Sequence, residues 1–144
     1  MSLQRSEALK QRIRESFASQ TMMQTLGAEV TDIASGSVEI GAPIAAHLRQ
    51  QQGYAHAGLA FSLGDSAAGY AALSLLPADQ EVVTSEIKIN LLAPARGERL
   101  RARGKVVKAG KRLLVVTAEV FAVDQGQETL IALLQGTMVP VPRS

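Results

Sequence analysis

The residues with most to offer chemically lie between positions 50 and 65: Gln50, His56, Gly58 and Asp65. Asp65 is the only charged residue from Ala57 to Leu76, a run in which 12 of 20 residues are Ala, Gly or Ser. An unpaired carboxylate is expensive to bury among such neighbours, so it is either a reacting group or a side chain bonded to a buried serine or backbone amide. Burial alone does not separate these readings. His56 stands just before the run, and no Ser, Thr, Asp or Asn lies between Gln50 and Phe61 to cap it. Gly58 leaves its own N–H unshielded by any side chain. Free N–H groups at a positive helix end suit an anion, or a carbonyl oxygen becoming an oxyanion. A water or a neighbouring loop would also satisfy them. Nine helical positions place His56 and Asp65 ~13 Å and about half a revolution apart. Within one continuous helix they cannot cooperate. They do unrelated jobs, or they meet across a subunit interface.

The element that positions this set is the run itself, which reads as one helix over residues 57–76. It is apolar on every face, the pattern of a buried helix. Its many small side chains let other backbones approach closely, as when a sheet wraps around it. Residues 3–20 carry Leu9, Ile13 and Phe17 at i, i+4, i+8 among charges, an amphipathic helix outside the core. Residues 26–34 and 37–41 read as strands joined at Ser35-Gly36, with the second ended by Pro43. Residues 44–55 form a glutamine-rich loop, and Pro77 stops the central helix. Four more strands are expected at residues 81–92, 98–107, 112–123 and 127–139. The first places Val83, Ile87, Ile89 and Leu91 on one face and Thr84, Glu86, Lys88 and Asn90 on the other. Pro140 and Pro142 end the last. The pattern is α+β: a curved antiparallel sheet around one long helix, in a single domain with residues 1–20 as N-terminal helix and 21–142 as core. Such a sheet has edge strands, which a second copy can cover.

Composition narrows the chemistry. There is no cysteine, so disulfides, thiolate nucleophiles and Cys-ligated metals are excluded, in keeping with an expected cytoplasmic location. Only two histidines are present and no G-x-S-x-G elbow, Walker loop or G-x-G-x-x-G occurs, so neither a metal nor a bound cofactor is expected. Asp65 at the centre of the apolar run argues against a membrane span. Eight of the 15 basic residues lie between Arg96 and Arg112. They read either as a solvated, edge-protecting sheet face or as a site for a phosphate-bearing ligand. No aromatic residue is interleaved with them, which argues against nucleic acid.

HAG-x6-D at 56–65, with Gln50 six residues before the histidine, resembles the HGG-x6-D/E motif of hotdog-fold acyl-CoA thioesterases, and within them the phenylacetate-degradation (PaaI-like) branch. Residues 83–120 are similar to that family's strand, Pro-Ala-x-Gly turn and following hairpin, and the resemblance spans about residues 20–139. It implies a sheet wrapped around the helix, dimers paired edge to edge that often join into tetramers, and active sites shared between subunits. Asp65 would then activate water or attack the thioester carbonyl, and Gly58 N–H of the partner subunit would polarise that carbonyl. Gln50 would sit near the thioester or the water, His56 would shape the loop beside it, and Thr84 would take the place of a serine found near the water. Arg99, Arg101, Lys108, Lys111 and Arg112 would be candidates for the phosphates of coenzyme A, which enters as part of the substrate. Two positions depart from the family pattern. Ala57 replaces the first glycine of HGG, and Gln50 stands where some members have asparagine. Gln51 and Gln52 leave the register of that glutamine open.

The expected function is hydrolysis of a small or medium acyl-CoA, aromatic acyl groups included, by a homo-oligomer. A hotdog hydratase or dehydratase would need His56 and Asp65 in contact across subunits. A non-catalytic acyl-CoA-binding protein would show no turnover with any acyl-CoA.

Overall fold

The computed structural model describes residues 2–144. Helix α1 (Leu3–Ala18) begins at Ser2, whose side chain accepts the Arg5 N–H at 3.2 Å. Of its apolar stripe Ile13 is fully buried, while Leu9 and Phe17 pack half-buried against the core. The Arg12 guanidinium donates to the carbonyls of Leu76, Pro77 and Gln80, which ties α1 to the loop beyond the central helix.

A short helix, α2 (Thr21–Thr25), follows in a stretch for which the sequence suggested no element. Gly27, with φ of +67°, closes it, and β1 (Glu29–Ala34) begins three residues later than expected. Two buried side chains, Met23 and Leu26, anchor this segment, too few to leave a helical period in the sequence. Strand β2 (Ser37–Pro43) returns through the Ser35-Gly36 turn, with Gly36 at φ +79°.

Helix α3 (Ala57–Leu73) is the central helix, and it ends three residues short of the expected Leu76. The Ser74 hydroxyl donates to Ala71 O at 2.6 Å and accepts the Gly36 N–H at 2.7 Å, fixing the helix end to the β1–β2 turn. Leu75 and Leu76 then bond back three residues instead of four, tightening the chain into Pro77.

Strands β3 (Gln80–Leu91), β4 (Arg99–Ala109), β5 (Leu114–Asp124) and β6 (Gln127–Pro142) complete a six-stranded antiparallel sheet of order β1-β2-β4-β5-β6-β3. Pro140 does not stop β6, which runs three residues past the expected Val139 to Pro142; the two prolines pair with Val82 and Gln80. Beyond Met138, which faces the first residue of β5, this strand has a neighbour on one side only, and there a missing N–H is tolerated. Edges remain at β1 and at β3. Among the described residues no helix is long and apolar enough to cross a membrane.

The sheet curls over α3, and Leu59, Leu63, Ala67, Ala68 and Leu73 meet Ile40, Leu100, Ala102, Val116, Val120 and Leu134 in one core. Contact is closest at β4, where a Cβ on Gly104 would collide with the backbone of Ala67 and Ala68. Gly104→Ala is therefore expected to lower unfolding stability by about 1–3 kcal/mol or more, the cost of overpacking a core that has no side chain to move aside. Urea denaturation of the two proteins checks this, and an unchanged midpoint would contradict so close a seat.

Candidate active site

The expected all-round burial of α3 does not hold. Gly58, Phe61, Ser62, Asp65 and Gly69 are exposed or half-buried, and at 100° per residue they form a single stripe along the helix. Asp65 lies in the middle of it, half-buried and not enclosed as the sequence led us to expect. Gly58 and Asp65, seven residues apart, share this face at ~10.5 Å along the axis.

Thr84 on β3 donates its hydroxyl to Asp65 Oδ1 at 2.7 Å. The contact depends on a β-bulge. Thr84 pairs with Met138 and Glu86 with Thr137, so Ser85 is an extra residue in β3. The bulge overturns the alternation expected from sequence. Before it, Val82 and Thr84 face the helix while Val83 is exposed; after it, Ile87 and Ile89 face the core. Gly136 on β6 makes room, because a Cβ there would strike the Glu86 carbonyl. A strict period of two hides such a shift; the family resemblance put Thr84 near the site, and its bond to Asp65 appears only in the structure.

Asp65 and Thr84 open onto a cavity of about 230 Å³ whose walls include Gly69, Tyr70, Val82 and Met138. Sequence reasoning did not reach two of its other lining residues, Ser16 of α1 and Gln20 just beyond it, both bonded to the Tyr70 hydroxyl. Ser16 lies next to Phe17 of the apolar stripe, where an unremarkable serine carries no signal.

His56 and Gly58 are found together, but not as expected. His56 is the N-cap of α3, and its Nδ1 accepts the Gly58 N–H at 2.8 Å. The helix start is thus capped and the Gly58 N–H is shielded by an imidazole, a residue outside the usual capping set. A Cβ on Gly58 would stand 3.0 Å from that nitrogen, so the glycine makes the cap fit. This pair borders a separate cavity of about 280 Å³, with Met22, His47 and Leu48 among its walls. Gln50 lines a third, of about 400 Å³, beside Tyr54, Leu91 and Pro94. Its Oε1 accepts the Gln52 N–H and its Nε2 donates to Gln52 Oε1. Gln51 and Gln52 are exposed, so Gln50 is the glutamine that faces inward. Within one chain the five expected site residues therefore fall into three places.

The five basic candidates are not brought together either. Arg99 and Lys108 are nine residues apart on β4, ~30 Å. Arg101 bonds Glu39 at 3.0 Å and Glu128 at 3.2 Å, and Arg103 bonds the same two carboxylates at 3.3 and 2.9 Å. Arg103 also lies over the Phe121 ring, 4.6 Å from its centroid. Burial pulls the Arg103 guanidinium down, but hydrogen bonds to Glu128 and Glu39 and their charges outweigh it and hold its pKa above the ordinary arginine value. Lys108, Lys111 and Arg112 sit exposed at and near the β4–β5 turn, beyond a second bulge at Val107.

Comparison with known proteins agrees with this architecture. The family model described as "Thioesterase superfamily" matches residues 52–129, a span that holds His56, Gly58, Asp65 and Thr84. A thioesterase family protein from Silicibacter pomeroyi superposes with a TM-score of 0.91 at 42% identity, over 94% of this chain and 99% of that one. The E. coli PaaI protein of the phenylacetic acid degradation operon, at 24% identity, shares the fold with a TM-score of 0.85 over 96% of this chain and 97% of its own. A Saccharolobus solfataricus protein named "Putative esterase SSO1253" is 30% identical over 127 residues, 88% of this chain and 82% of its own length. With a sheet wrapped around α3 and a family match across more than half its length, the chain belongs to the thioesterase superfamily, as a PaaI-like thioester hydrolase of the hotdog fold.

Proposed function

We propose that the protein hydrolyses acyl-CoA thioesters as a homo-oligomer, with each active site built from two subunits. The observation that carries this reading is the Asp65–Thr84 pair at the centre of the uncovered stripe of α3. Edge strand β3 runs beside that stripe, with exposed Val83, Leu91 and Leu92 on or just beyond it and Phe61 on the helix. A two-fold axis near Phe61 and Ser62 would lay two copies of α3 antiparallel. Gly58 and Asp65 are equidistant from that point, so Asp65 would then face Gly58 of the partner subunit. The same operation would cover both the open edge and the apolar residues on it.

The chemistry needs few groups. With Thr84 holding Oδ1, Oδ2 of Asp65 is left to take a proton from water. The water oxygen bonds to the thioester carbonyl carbon, the C–S bond breaks, and the departing coenzyme A thiolate receives the proton from Asp65. The products are a carboxylic acid and a thiol. Charge that develops on the carbonyl oxygen is met by Gly58 N–H of the partner subunit at the positive end of α3. That N–H must first exchange its bond to His56 Nδ1 for one to the substrate, which gives His56 the role of holding the donor between turnovers. Gln50 closes the mouth near the thioester. Lys108, Lys111 and Arg112, near one another at the β4–β5 turn, are left for the phosphates of coenzyme A, while Arg101 is already held by Glu39 and Glu128 and Arg99 lies at the far end of β4.

Asp65→Asn keeps the size of the side chain and removes its negative charge. Folding should survive while kcat on an acyl-CoA panel falls by about 10²–10⁴, the weight of acid–base catalysis. Robust hydrolysis by that variant, free of contaminating enzyme, would sink the mechanism. His56→Ala should cost about 0.5–2 kcal/mol of stability through the lost cap, and less activity than Asp65→Asn. A circular-dichroism melt and steady-state rates read both effects.

Shared sites make a further demand. When inactive Asp65→Asn chains are mixed with inactive Gly58→Val chains, each heterodimer regains one site with both wild-type groups. Roughly a quarter of wild-type activity per chain should return for a symmetric dimer. If nothing returns although mass spectrometry shows heterodimers, each chain is self-contained. Sedimentation of the wild-type protein as a monomer at micromolar concentration would tell equally against a shared site.

A further inference from the structure

Three glycines interrupt α3, and two of them have an evident steric reason. A Cβ on Gly58 would press on His56 Nδ1 at 3.0 Å, and one on Gly64 would meet the Leu134 side chain at 2.9 Å. Gly69 has none. A Cβ there would find only the end of Met138 at 4.0 Å, an ordinary contact. Glycine inside a helix is nevertheless less stable than alanine. What the missing side chain leaves is space, since Gly69 lines the 230 Å³ cavity one helical turn beyond Asp65.

The far wall of that cavity is supplied from outside the sheet-and-helix core. The Tyr70 hydroxyl accepts from Gln20 Nε2 at 2.7 Å and shares a hydrogen bond with Ser16 Oγ at 3.0 Å. Phe17 lies against the Tyr70 ring, 6.1 Å between centroids, so α1 fixes the position of the tyrosine. Within the Ser16–Tyr70 pair one hydroxyl donates to the other, which leaves one of the two protons for a third group. Leu73, Val82 and Met138 give the cavity apolar wall, and Ser66 and Glu81 also line it.

We propose that this cavity receives the acyl group, that Gly69 sets how much of it fits, and that the Ser16–Tyr70 pair favours acyl chains ending in a hydrogen-bonding group over plain alkyl chains of equal length. The inference rests on the acyl-CoA hydrolase reading above. A carbonyl carbon beside Asp65 has open space along α3 toward Gly69 and Tyr70. A dry cavity of about 150 Å³ is enough to hold benzene. The volume of 230 Å³ therefore accepts compact acyl groups.

The test measures kcat and KM on acetyl-, hexanoyl-, 6-hydroxyhexanoyl- and dodecanoyl-CoA for the wild-type protein and for Gly69→Ala, Gly69→Leu, Ser16→Ala and Tyr70→Phe. Gly69→Leu should lower the hexanoyl-to-acetyl ratio of kcat/KM by about 10- to 200-fold. Gly69→Ala should lower it less and raise Tm by about 2–4 °C, since its methyl group fits the helix and fills the cavity together. Ser16→Ala and Tyr70→Phe should each cut the preference for 6-hydroxyhexanoyl over hexanoyl by about 2- to 10-fold. Unchanged acyl ratios in a folded Gly69 variant overturn the proposal, and Gly69→Ala decides it if Gly69→Leu does not fold. A wild-type protein that hydrolyses none of the esters refutes the hydrolase reading instead. Calorimetric binding of hexanoyl-CoA to the wild-type and Gly69→Ala proteins then decides the cavity by itself, and equal affinity removes it.

Discussion

The backbone of β4 rests on the backbone of α3 at Ala67 and Ala68, and much of the molecule follows from that contact. No side chain intervenes at Gly104, so the sheet has to curl around the helix. Curling leaves one strip of α3 uncovered, because six strands do not close around it and the order ends at β3. Asp65 lies on that strip. Its solvent access is therefore a consequence of packing elsewhere: the helix faces that are small and apolar are spent on the sheet, and the remaining face is free to carry a carboxylate without the cost of burying it.

Position along β3 then matters as much as position on the helix. One extra residue, Ser85, turns Thr84 toward Asp65 and still lets Ile87 and Ile89 reach the core. Gly136 accommodates the bulge from the neighbouring strand. The site is thus held by regular elements, a helix and a strand, with a local irregularity that re-aims one hydroxyl. At the other end of α3 the same economy holds. His56 satisfies one of the free N–H groups at the helix start, that of Gly58, and Gly58 is small enough to permit it. The bond spares a helix-end N–H the penalty of an unsatisfied group.

The convex face of the sheet has a different logic. Arg101 and Arg103 share Glu39 and Glu128 across neighbouring strands, and Phe121 lies beneath the second guanidinium. Single exposed ion pairs contribute little. A four-residue cluster on a stiff sheet loses less side-chain freedom, and it keeps this face charged and away from further pairing. Arg101 and Arg103 of the basic stretch are therefore structural, while Lys108, Lys111 and Arg112 lie at and near the β4–β5 turn.

The sequence by itself determined the architecture and the central carboxylate. Small residues on every face of one long helix, strands of period two and a turn at Ser35-Gly36 are local features, and the sheet around α3 follows from them. The chemistry-bearing set was legible for the same reason, since Asp65 is a lone charge and the spacing of HAG-x6-D is specific. What only the tertiary structure decided depends on contacts between distant segments. The end of α3 is set by Gly36 against Ser74, and β6 runs on through Pro140 because β3 still pairs with it there. The cap on Gly58 is an imidazole lone pair that no capping preference would name. The direction of Thr84 hangs on a bulge that alternation conceals. The open strip, with Asp65 half-exposed in it, exists because the sheet covers only part of the helix, and hydrophobicity along one chain does not record which face of an apolar helix is left uncovered.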